Sequence, residues 1–101
     1  SSEVWMEILS NPDSAEAVVA SAKRSIVRIL STDDVDGDAK KKGALAADVV
    51  KGSFPAEFKV DAVEALDRKF NVWQLGDIQK ALKPFAEDPV VGEIVARILE
   101  K

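Results

Sequence analysis

The residues with the most chemical potential sit in one short stretch. Asp33, Asp34, Asp36 and Asp38 fall within six residues, with Gly37 among them. Hard cations such as calcium take several carboxylate oxygens, and a glycine lets the chain turn tightly around the ion. Asp34, Asp36 and Asp38 are the metal candidates. With Gly37 at the sixth position of an EF-hand loop, Thr32 falls first, Asp34 third and Asp36 fifth. The twelfth position is then Gly43, where a bidentate Glu is needed. The EF-hand reading therefore fails. A solvated loop whose last Asp favours the next helix N-terminus accounts for the same residues.

Cations form two further groups. Arg24 and Arg28 are four apart, with Lys23 adjacent, and suit an acidic surface. Lys40, Lys41 and Lys42 follow the Asp-rich stretch directly. The acids before them cancel much of their field beyond a Debye length of about 8 Å. That run reads as a solvated first helical turn, with Lys41 a candidate contact. Trp5 and Trp73 are the largest apolar side chains. Trp is enriched where partners bind, and also anchors cores. The partner-binding candidates are thus Trp73, Trp5, Arg24, Arg28 and Lys41.

Catalytic chemistry finds little support. The chain has no Cys and no His. It therefore lacks a disulfide, a thiol nucleophile, an imidazole base and the usual zinc ligands. The five glycines are isolated, so no phosphate-cradling loop forms, and no Ser lies in a Gly-x-Ser-x-Gly setting. The carboxylate pairs Asp61 and Glu64, and Glu87 and Asp88, read as helix caps. The expectation is a protein that is not an enzyme and has no cofactor.

Charge narrows the partners. The 101 residues carry 18 acids and 14 bases, and the excess of acid is spread evenly along the chain. Nucleic-acid binding normally shows a basic face that neutralises phosphates. Nucleic acid is therefore not an expected partner, nor is a polybasic membrane contact. No uninterrupted apolar run exceeds four residues, so no segment spans a membrane, while peripheral association stays open. A chain that opens on Ser1 reads as a processed product or an excised domain. The compartment is undetermined by these features.

Helical periodicity must position all of these residues. Ala15, Val18, Val19, Ala22, Ile26, Ile29 and Leu30 define one face of a long helix over about 13–30, with Asp13 and Glu16 as a capping box. A short helix over 3–9, capped by Ser2, precedes it. Leu45, Ala46, Val49 and Val50 mark a helix over 39–51, which Gly52 ends by tolerating the left-handed conformation. Val63, Leu66 and Phe70 mark the next, which starts at Pro55 or restarts at Asp61 after a kink. Leu75, Ile78 and Leu82 place a weaker helix over 72–83, in which Gly76 costs about 1 kcal/mol relative to Ala. Asp88 caps the last helix and Pro89 opens it, before Val90, Val91, Ile94, Val95, Ile98 and Leu99.

No strand alternation interrupts this pattern. The expected fold is all-α, a single helical domain over 1–101, as a compact bundle of four main helices with one or two short ones. One stretch offers an alternative. From Trp5 through Asn11-Pro12-Asp13 to Leu30, it resembles one HEAT or armadillo hairpin, which implies stacked helical hairpins. The resemblance covers about a quarter of the chain and does not recur at constant spacing.

By elimination, the expected function is non-catalytic protein–protein interaction. The chain reads as a small acidic accessory or extrinsic subunit, adaptor or regulator of a larger assembly. Calcium binding through residues 33–38 and homo-oligomeric scaffolding are the alternatives.

Overall fold

The computed structural model describes residues 2–31, 39–68 and 75–101. Among these residues there are six α-helices and no strand. They are α1 (Ser2–Ser10), α2 (Glu16–Ser31), α3 (Ala39–Lys51), α4 (Ala56–Arg68), α5 (Leu75–Leu82) and α6 (Gly92–Leu99). A 3-10 turn, Lys83–Phe85, follows α5 with Pro84 inside it. The four main helices expected correspond to α2, α3, α4 and α6, and the short ones to α1 and α5.

The radius of gyration, 12.9 Å, is that of a compact chain of this length. The shortest dimension is 16 Å, which holds two helix layers at an interaxial spacing of about 8–10 Å. α4 is the hub: it packs on α2, α3 and α6, and α3 in turn packs broadly on α5. α1 packs mainly on α2. The core joins Ile26 and Leu30 of α2 to Leu45, Ala46 and Val49 of α3 and to Ala62, Val63 and Leu66 of α4. Ile78 and Leu82 of α5 and Val95 and Ile98 of α6 complete it.

Several local expectations need correction. The α2 capping box does not form: the Asn11 side-chain oxygen accepts from the Asp13 N–H at 3.0 Å, and the Ser14 hydroxyl donates to the Ile8 carbonyl at 2.7 Å. The helix ladder then begins with the Val19 N–H on the Ala15 carbonyl. Of the two starts expected for α4, the one at Pro55 is found: the Phe58 and Lys59 N–H groups turn onto the Pro55 carbonyl, and the helix runs through Asp61 without a break. Gly52 does not need the left-handed region, and its N–H still reaches the Asp48 carbonyl. Its bare Cα instead makes room for the Phe54 ring, which a Cβ would strike. Lys42 is buried, not part of a solvated turn. It lies three, four and seven residues before Leu45, Ala46 and Val49, so it continues the core stripe of α3.

The last helix starts later than expected: Pro89 lies in the preceding turn, α6 begins at Gly92 with Val91 as its N-cap, and no side chain caps it. The Asp88 carboxylate accepts from the N–H groups of Val90 and Val91 at 2.8 and 3.1 Å. Those bonds fix the turn that leads into α6 rather than the helix start itself.

Candidate functional site

A groove of about 380 Å³ opens between α2 and α4. The sequence builds both walls by the same rule. On α2, burial of Ala22, Ile26 and Leu30 turns positions 24 and 28 outward, so Arg24 and Arg28 stand exposed on one wall. On α4, burial of Phe58, Ala62 and Val63 turns Glu57 and Asp61 outward on the other. Val27 and Pro55 supply the apolar surface between them, with the buried Phe58 ring beneath.

The floor is held from both sides. The rings of Phe54 and Phe58 meet edge to face, with centroids 5.6 Å apart and planes at 84°. The Lys23 ammonium lies 5.8 Å from the Phe58 ring centroid, within cation–π range. Lys23 is thus engaged by the fold. Arg24, Arg28, Glu57 and Asp61 are not: among the described residues none of the four makes an ion pair or a side-chain hydrogen bond.

The ion pairs of the described residues lie elsewhere. Asp67 of α4 faces α6, with Arg97 Nη2 3.8 Å from Oδ2 and Lys101 Nζ 3.1 Å from Oδ1. Oδ1 is buried and has no aligned hydrogen bond, so Lys101 supplies charge rather than a directed bond there. This cluster ties α4 to the α6 end of the chain, with Asp67 largely covered and Arg97 and Lys101 on the surface.

The structure brings Arg24 and Arg28 together and separates them from the other candidates. Trp5 is half-buried and packs against the core from α1. Lys41 is exposed on α3 and does not line the groove. Trp73, Asp34, Asp36 and Asp38 lie outside the described residues. Among the described residues, no group of three or more acidic, His or Cys side chains could hold a metal ion. Glu57, Asp61 and Phe58 were not legible as site residues. The available signal was the four-residue spacing of Glu57 and Asp61, the same as that of Arg24 and Arg28.

The groove offers apolar area, two guanidinium groups and two carboxylates. No helix among the described residues is long and apolar enough to cross a membrane. No protein-family model matches the chain, and neither a curated protein nor a solved structure matches it.

Proposed function

We propose that this chain is a non-catalytic protein–protein interaction module, acting as a small acidic accessory subunit, adaptor or regulator of a larger assembly. The observation that carries this reading is the α2–α4 groove. It joins an apolar floor to four exposed charges that no described residue of the chain pairs. Interfaces favour that combination: apolar area gives affinity, while charges set orientation and exclude wrong partners. Arg24 and Arg28 carry the contact, because arginine forks carboxylates in two parallel hydrogen bonds.

Cross-linking in native extract at near-physiological salt tests the proposal. The tagged chain and its Arg24→Glu/Arg28→Glu variant serve as paired baits. A stoichiometric partner held by the native chain and lost by the variant is the expected result. Recovery of folded bait with no stoichiometric partner would overturn it.

A further inference from the structure

The groove carries two like-charged pairs, and no contact ion pair within the described residues engages either. Arg24 and Arg28 repel each other at four-residue spacing on α2, and Glu57 and Asp61 do the same on α4. No ion pair joins the opposite walls, so neither pair has a charged partner in direct contact within the described residues. Both pairs would be relieved by charges from outside, set at the same spacing. A second α-helix supplies that spacing, because residues four apart rise by about 6 Å along any helix axis.

We infer that the groove docks an amphipathic helix of a partner protein. That helix has two carboxylates four residues apart on one edge, two basic residues four apart on the other, and an apolar stripe between. The inference rests on the interaction-module reading and adds the chemistry of the partner. The carboxylates meet Arg24 and Arg28, the bases meet Glu57 and Asp61, and the stripe covers Val27 and Pro55. Size agrees: one turn of a helix about 10–12 Å wide fills roughly 400–600 Å³. A groove of about 380 Å³ therefore takes the face of such a helix and leaves its outer side in solvent.

A designed helical peptide of 18 residues tests this with the full chain. It has a Leu stripe, a Glu pair on one edge and a Lys pair on the other, and binding is read by fluorescence anisotropy. The control has the same composition with one Glu and one Lys on each edge. Exchanging the two edges would be no control, since the peptide could bind in the reverse direction. The segregated peptide should bind at least about tenfold more tightly than the mixed one, a ratio consistent with several exposed pairs acting together. Arg24→Glu/Arg28→Glu should lose that preference. Adding Glu57→Lys and Asp61→Lys to it should restore binding, with the peptide reversed. All four positions are exposed, and circular dichroism confirms that each variant keeps its helices.

Equal affinity for the two peptides, or binding indifferent to the Arg reversal, would overturn the inference. So would a dimer of the chain, seen by light scattering and abolished by Arg24→Glu/Arg28→Glu, because a second copy would then be the occupant. Failure here is separable from failure of the broader reading. A captured partner with no peptide preference removes the helix inference alone. Peptide binding with no captured partner removes the accessory-subunit reading and keeps the groove.

Discussion

The side chain of Gln79 donates a hydrogen bond from Nε2 to the carbonyl oxygen of Ile98 at 2.9 Å, so α5 satisfies the C-terminal end of α6. The Leu99 carbonyl lies 3.4 Å from the same nitrogen. The last carbonyls of a helix have no partner within it, and a part-buried end needs one from elsewhere. Gln79→Ala is expected to lower unfolding free energy by about 0.5–1.5 kcal/mol. The lower half of that range applies, since the Ile98 carbonyl also accepts from the Lys101 N–H at 3.3 Å. Gln79→Glu should cost more than Gln79→Ala: it removes the donor and sets a negative charge against the negative end of the helix dipole. Urea denaturation of the three proteins checks the order, and equal midpoints would remove the capping role.

Gly43 sets the distance between α3 and α5. A Cβ at this position would stand 2.7 Å from the Ala81 Cβ, closer than packed methyl groups allow. Helix propensity alone makes Gly43→Ala favourable by about 1 kcal/mol. Overpacking opposes it at about 1–3 kcal/mol, and here neither atom is the end of a flexible side chain. Net destabilisation is therefore expected. The double variant Gly43→Ala/Ala81→Gly should recover most of the loss, because it moves the methyl group across the same contact. A thermal denaturation cycle over the four proteins measures the coupling; strict additivity would show that the two residues do not meet.

Core faces were legible where the neighbouring helix extends as far as the stripe does. Ile26 and Leu30 on α2, Val49 on α3 and Ile98 on α6 fall on the faces that their periodicity marks, and all are buried. Val18 lies on the same α2 stripe yet is 44% exposed. Periodicity says which face is apolar, not how far the rest of the protein reaches along it. Lys42 errs in the other direction: its neighbours Lys40 and Lys41 suggest solvent, but its register with Leu45, Ala46 and Val49 decides its burial. Arg24 and Arg28 were visible as a pair on one helix. Their setting opposite Glu57 and Asp61 was not, because it depends on the packing of α2 against α4, a contact between residues about 30 apart in sequence. Asp61 reads locally as a cap, and that reading hides a wall residue.

Ile26 and Ile94 separate the core from the outer surface of the bundle. Ile26 is fully buried and Ile94 is 7% exposed. Truncating either to Ala removes apolar contacts and leaves a cavity, at about 2–5 kcal/mol. Ile26→Ala should lie higher in that range, since Ile26 is the more fully buried of the two. Equilibrium unfolding in urea measures both. Losses below about 1 kcal/mol would move these stripes from the core to an exterior face.

Arg24→Glu sets stability against binding in a single substitution. In the native chain Arg24 and Arg28 repel each other across one turn of α2. A glutamate at 24 replaces that repulsion with an attraction, in the favoured order of acid before base. Each change is worth about 0.2–0.5 kcal/mol, so the variant should be as stable as the native chain or slightly more so. The segregated peptide should nevertheless bind it less tightly, since one of the two guanidinium contacts has become a repulsion. A residue kept only for the fold would show stability and binding falling together. Thermal denaturation alongside anisotropy on the same preparation distinguishes the two. A drop in stability above about 0.5 kcal/mol would assign Arg24 a structural role, and unchanged peptide affinity would remove it from the groove contact.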